Sequence, residues 1–153
     1  CLGGGLEVAS VCHRVVAHAD ARFGQPEIAL GIFAPVASVT LVERIGRPAA
    51  EDLCLTGRPI DAAEALRLRV ADEVTTGDPV EAATAWARTH LVPRSASSLR
   101  HAVRAIRRGM RERLHGDLQA IEDTYLRDLA PTQDAQEGLR AFLEKRAPRW
   151  THQ

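Results

Sequence analysis

Cys1-Leu2-Gly3-Gly4-Gly5-Leu6-Glu7-Val8-Ala9-Ser10-Val11-Cys12 sets three consecutive glycines directly against a run whose apolar residues recur at helical spacing, with no breaker inside it. A short helix is predicted to start at the glycines. Lacking side chains, Gly3–Gly5 let the backbone approach a ligand closely, and a helix start leaves amide N–H groups free at the positive end of its dipole. That suits an anion or a developing oxyanion; a plain tight turn is the alternative reading of so short a motif. Glu7 falls in the first turn, where the dipole favours the ionised carboxylate, the form a general base needs.

Working outward, Val15-Val16-Ala17 reads as a brief buried strand, and Phe23-Gly24-Gln25-Pro26-Glu27 as a loop punctuated by Gly and Pro. Glu27 stands between Pro26 and the apolar Ile28-Ala29-Leu30, so desolvation is expected to raise its pKa and keep a proton available, as a general acid requires. Two carboxylates in different surroundings are what is needed to orient and split a water molecule. The plain alternative makes Glu7 a helix-dipole residue and Glu27 a solvated loop charge.

Pro35 and Gly46 bracket a second helix over Val36–Ile45. Asp61 and Asp78 each precede a Glu by three residues and predict helix starts, near 61–69 and 79–91. Ser95–Ala130 is helix-compatible throughout, with a break expected near His115-Gly116. Asp134 is expected to cap a last helix striped by Ala135, Leu139, Phe142 and Leu143, with Lys145 and Arg146 in its final turn and Pro148 stopping it. The chain divides softly near 93, into an α/β portion (1–93) and a helical tail (94–153).

The 153 residues are 45% hydrophobic and 26% charged, the composition of an ordinary globular chain rather than a disordered one. Aromatics are only 4%, so the core must rest on aliphatic residues and Ala. Twenty basic residues balance twenty acidic ones, which removes any overall attraction to nucleic acid or anionic membrane. Cys1, Cys12 and Cys54 lack disulfide or zinc spacing, so a reducing compartment is expected and no metal site. No apolar run approaches the roughly 18 to 20 residues of a membrane span, and a cytoplasmic location is expected. The chain opens on Cys1 rather than Met, already in a glycine turn, and is expected to be a fragment.

Four stretches, Cys1-Leu2-Gly3-Gly4-Gly5-Leu6-Glu7, Phe23–Gly31, Leu55–Ala65 and Glu137–Arg146, resemble the enoyl-CoA hydratase/isomerase (crotonase) family in order and spacing. The resemblance covers nearly the whole chain. It implies a crotonase-type spiral of ββα turns, incomplete here, followed by a helical region used for trimer contacts. It implies an acyl-CoA thioester as substrate, with coenzyme A as part of that substrate and no separate cofactor, and a homotrimer or dimer of trimers. By residue, it makes Gly4 a donor of the oxyanion hole and Glu7 and Glu27 the catalytic carboxylates. Phe142 and Lys145 become tail residues that reach the CoA of a neighbouring subunit. The second oxyanion donor and most of the CoA surface would come, in the family, from a stretch preceding Cys1.

After the second glutamate the family commonly carries Pro-Gly-x-Gly-Gly, where this chain has Ile32-Phe33-Ala34-Pro35-Val36-Ala37-Ser38. Bulkier side chains there, with Phe33, Pro35 and Val36 lining the acyl pocket, resemble a subgroup of the family, the cyclohexadienecarbonyl-CoA hydratases of anaerobic benzoyl-CoA breakdown. His13, where many relatives carry Asp, points the same way. The rivals are a general enoyl-CoA hydratase/isomerase of fatty-acid β-oxidation and a non-catalytic binding or trimerisation module. Cys12-His13 is assigned to structural packing, since adjacent helix residues point apart. Arg94, Arg100, Arg104, Arg107, Arg108, Arg111 and Arg113, in the basic stretch 94–113, are read as a solvated or intersubunit face, with CoA phosphate or RNA contact as the alternative.

Overall fold

The computed structural model describes residues 1–152. Helix α1 spans Gly4–Ser10 and begins at the glycines, as the sequence predicts. Its Leu6 is fully buried, and Ser10 closes its end by donating Oγ to the Glu7 carbonyl at 2.6 Å. Strand β1 (Val16–His18) lies one residue later than expected and pairs in parallel with β4 (Glu73–Thr75), so that Ala17 stands opposite Val74. Strand β2 (Arg22–Phe23) pairs antiparallel with β3 (Ile60–Asp61). These pairs make two separate two-stranded sheets among the described residues.

The segment read as a loop is instead β2 followed by a 3-10 helix, Pro26–Leu30, that carries Glu27. Proline supplies its own fixed φ at the first position, and Gly31 ends it in the left-handed region. Helix α2 (Ala37–Ile45) stops at Gly46 as expected. Helix α3 (Arg47–Thr56) was not anticipated; Pro48 in its first turn and the left-handed Gly57 after its last residue are the signals that mark it. Helices α4 (Ala62–Arg67) and α5 (Pro79–His90) start where predicted, with Asp61 accepting from the Glu64 amide and Asp78 from the Val80 amide.

Leu6, Ala17, Phe23, Leu41, Leu53, Ile60, Ala65 and Val70 meet in one buried cluster drawn from α1 through α4 and from β1, β2 and β3. Arg44 laces its edge. Nε donates to the Val70 carbonyl at 3.0 Å, Nη1 to the Cys12 carbonyl at 3.1 Å, and Nη2 to Asp72 at 2.7 Å. Asp72 also accepts from the Val15 amide at 2.7 Å, which ties β1 to the turn before β4.

The tail consists of α6 (Ala96–Ile106), α7 (Arg108–Asp123), one wider helical turn over Thr124–Leu129, and α8 (Gln133–Leu143). The break expected near His115-Gly116 falls instead at Arg107, while Gly116 continues within α7. A mid-helix glycine costs only about 1 kcal/mol, so docking of α7 on α2 decides the outcome. Arg113 grips Glu43 there with two hydrogen bonds, at 2.5 and 2.7 Å, and the pairing holds the Glu43 carboxyl below its ordinary range.

The last helix also differs from expectation. Its cap is Thr132, whose Oγ1 accepts from the Ala135 amide, because Asp134 is turned to other partners. Lys145 and Arg146 lie beyond the helix rather than in its final turn, and Lys145 has a positive φ of 54°. The buried stripe is Ala135, Gly138 and Ala141, whereas Leu139, Phe142 and Leu143 are exposed. Small residues bring this helix close to the 3-10 helix.

Candidate active site

Glu7 and Glu27, on different elements, meet around the first glycines. A Cβ on Gly3 would lie 2.6 Å from Glu27 Oε1, and one on Gly4 would lie 3.9 Å from Glu7 Oε2. Gly3 holds a φ of 53°, so both its conformation and its clearance from Glu27 require glycine. Its own amide donates to the Gly24 carbonyl at 2.9 Å, which fastens the turn to the strand leading into the 3-10 helix. The amides of Gly5, Leu6 and Glu7 donate to carbonyls of Leu2, Gly3 and Gly3. Among residues 3–7, only the Gly4 amide has no acceptor within the described chain. It is exposed, at the mouth of the turn.

Glu7 is half-buried, and its Oε1 accepts from the Ala37 amide at 2.9 Å, at the start of α2. That bond fixes the carboxylate and leaves Oε2 turned towards Gly4. Burial pushes the Glu27 carboxyl above its ordinary value; a backbone hydrogen bond opposes this, and the nearby negative charge of Glu7 adds to the rise. The direction is the one expected from Pro26 and the apolar residues that follow. Cys54, on α3, is pushed up by burial and then by the charges of Glu27 and Glu7, so its thiol stays protonated beside the pair.

Gln25 was not anticipated. It is 1% exposed, and with its amide nitrogen turned towards Glu27 it donates to Oε2 at 3.0 Å and Oε1 at 3.3 Å. A lone Gln in a Gly-Pro stretch carries no local signal of burial.

Of the residues assigned to the acyl pocket, Phe33 packs edge-on against Tyr125 of the tail, with ring centroids 5.5 Å apart. Val36 forms the cap of α2, where its carbonyl accepts from the amides of Val39 and Thr40. Pro35 is half-buried between them. Phe142 stands in the last turn of α8 and Lys145 just beyond it, both exposed. Cys12 and His13 are exposed rather than packed, because the chain leaves α1 before reaching them; Cys12 donates to the Val8 carbonyl. Among the described residues no cluster of His, Cys, Asp and Glu could hold a metal, and no helix is long and apolar enough to cross a membrane. Of the basic stretch, Arg113 and Arg108 pair with Glu43 and Glu112, and Arg94, Arg100, Arg104 and Arg111 are exposed.

Residues 1–153 match the sequence model of the family described as enoyl-CoA hydratase/isomerase. The chain is 51% identical over 150 residues to cyclohexa-1,5-dienecarbonyl-CoA hydratase of Thauera aromatica, a match covering 98% of this chain and 58% of that protein. It is 40% identical over 152 residues to a probable enoyl-CoA hydratase of Mycobacterium tuberculosis, covering 99% of this chain and 59% of the relative. The crystal structure of carnitinyl-CoA hydratase from Mycobacterium avium superimposes with a TM-score of 0.90 at 34% identity, over 99% of this chain and 59% of that one. The chain thus spans under two thirds of the length of these relatives.

Proposed function

The chain belongs to the enoyl-CoA hydratase/isomerase family, and from that membership we propose that the full-length protein is a hydro-lyase adding water to a conjugated enoyl- or dienoyl-CoA thioester. The observation that carries the reading is the meeting of two carboxylates in unlike surroundings beside a glycine amide with no internal acceptor.

In this mechanism Glu7 takes a proton from water as the hydroxyl adds to the β-carbon. The electron pair of the alkene moves onto the thioester oxygen, where the Gly4 N–H stabilises the enolate more than the ground-state carbonyl. Glu27, whose burial favours the protonated form, delivers its proton to carbon as the enolate collapses. Proton transfers then restore both carboxyls. Every step is acid–base chemistry on the substrate's own conjugated system, and coenzyme A enters only as its handle.

The acyl group we assign is cyclohexa-1,5-diene-1-carbonyl. The support is the 51% identity to a hydratase of that name, and the Ile32–Ser38 segment, where Phe33 braces on Tyr125. For that cyclic diene the hydroxyl enters at the β-carbon and the proton goes to the far end of the dienolate. A simple enoyl-CoA hydratase is the second reading, favoured by the 40% identity to a probable enzyme of that class. Family membership also supports a trimer completed by the remainder of the spiral, in which Phe142 and Lys145 would contact a neighbour's CoA.

Relative turnover of the cyclic dienoyl-CoA and crotonyl-CoA by the full-length protein tests the assignment. A preference for the cyclic diene of at least about tenfold, near the scale on which pocket shape discriminates substrates, is expected. Equal turnover would leave the general hydratase, and hydration of neither would remove the enzymatic reading.

A further inference from the structure

The helix carrying Glu27 cannot hold its own position. It is a five-residue 3-10 helix with no fully buried residue, and such helices have weak hydrogen-bond geometry. It lies between α3 and α8, so its neighbours decide where Glu27 stands. On the α8 side the approach is backbone to backbone. A Cβ on Gly138 would run into the Leu30 carbonyl, and one on Gly31 would lie 2.8 Å from the Asp134 carbonyl oxygen.

Trp150 covers this seam from outside. The same Cβ on Gly31 would meet its Cζ3 at 3.0 Å, and that on Gly138 its Cη2 at 3.1 Å. The indole therefore touches the end of the 3-10 helix and the face of α8 at once.

Trp150 belongs to no helix or strand, and α8 itself anchors it. Asp134 accepts from the Thr151 amide at 2.7 Å, the Thr151 hydroxyl at 2.9 Å and the His152 amide at 2.8 Å. Glu137 accepts from the Arg149 amide at 3.0 Å and binds Arg146 through both of its oxygens. Both flanks of the indole are thus tied to the helix it presses upon. Arg146 and the Arg149 amide hold the Glu137 carboxyl down to about 2, and the Thr151 and His152 contacts lower Asp134, so both carboxyls favour the ionised form that accepts these bonds.

We propose that Trp150 is a positioning residue for Glu27: the strap of residues 146–152 wedges the indole into the seam and sets the height of the 3-10 helix, and with it the carboxyl against Gly3. This rests on the reading of Glu27 as proton donor. The clearance at Gly3 leaves little slack, and displacing a reacting group by about 1 Å can cost on the order of a hundredfold in rate. The titratable groups facing Glu27 are Glu7 from α1 and Cys54 from α3, while Asp134 on α8 is engaged by the strap.

The test uses the full-length protein with Trp150→Ala, Trp150→Phe, Asp134→Asn and Glu27→Gln. Trp150→Ala is expected to lower kcat about tenfold or more while KM stays within about twofold. The limb of kcat that falls with rising pH should move to lower pH, because a loosened helix admits water to Glu27. Trp150→Phe should regain most of kcat, since it refills the seam. Asp134→Asn, which keeps the indole but weakens its anchor, should shift kcat in the same direction and serves if Trp150→Ala does not fold. Wild-type kcat and pH profile in both Trp150→Ala and Asp134→Asn, with Glu27→Gln inactive, would overturn the positioning role alone. Full activity in Glu27→Gln would instead overturn the reading beneath it.

Discussion

The Glu7 carboxylate accepts from the Ala37 amide at 2.9 Å, so the side chain proposed to activate water also caps a second helix, 30 residues further along the chain. The two duties can be separated by substitution. Glu7→Gln keeps a carbonyl oxygen for the Ala37 amide and removes the base; hydration should fall by about two to four orders of magnitude with a stability change under about 1 kcal/mol. Glu7→Ala removes the cap as well and should cost about 1 kcal/mol more in urea unfolding. Near-normal hydration by Glu7→Gln would refute the role as base.

Glu27 has a folded-state pKa above its ordinary value of 4.5. The folded state therefore binds the proton more tightly than the unfolded chain. Its contribution to stability is complete below about pH 4.5 and is lost as pH rises through the folded value. Glu27→Gln should accordingly melt higher than the wild type at pH 7 and at the same temperature near pH 4, while losing hydration activity. A melting difference independent of pH would show that burial does not govern this carboxyl.

Arg44 holds three acceptors on two chain segments with a side chain only 11% exposed. Arg44→Ala leaves the Val70 carbonyl without its donor and Asp72 without its cation, and should cost about 2 to 3 kcal/mol. Arg44→Lys has one point charge for a forked site and should recover less than half of that. Chemical denaturation of both variants measures it, and a change under about 0.5 kcal/mol in Arg44→Ala would contradict the clamp.

Phe33 meets Tyr125 edge to face, so a residue of the tail braces the segment assigned to the acyl pocket. Phe33→Ala should reduce the preference for the cyclic dienoyl-CoA over crotonyl-CoA by about tenfold or more, through the cyclic substrate. Tyr125→Ala, which removes only the brace, should do so to a lesser degree. An unchanged ratio in both would separate this contact from specificity.

Features set within a few residues of one another were legible in the order of the chain. Asp61 and Asp78 cap because a carboxylate reaches an amide two or three positions on, and α1 starts just after Gly3, whose left-handed turn favours glycine. The direction of the Glu27 pKa shift agrees with the apolar residues that follow it in sequence, burial being its first cause. The strands β2, β3 and β4 are two or three residues long and exist only through partners far along the chain, too little for an alternating pattern to register. Helix α7 begins at Arg108 rather than after Gly116 because α2 offers a surface and Glu43 a charge, and that docking outweighs a glycine's propensity.

By itself, then, the sequence carried the family resemblance, which singled out Glu7 and Glu27 through the order of its motifs, and most helix starts, which rest on side chains acting on nearby backbone. Tertiary structure alone decided that Glu7 is held by Ala37, that Gln25 is buried against Glu27, and that Trp150 closes over Gly31 and Gly138. Each of these contacts joins residues on different elements, or closes through burial that no local pattern encodes. Their geometry exists only once the core around Leu6, Leu41 and Leu53 has brought those elements together.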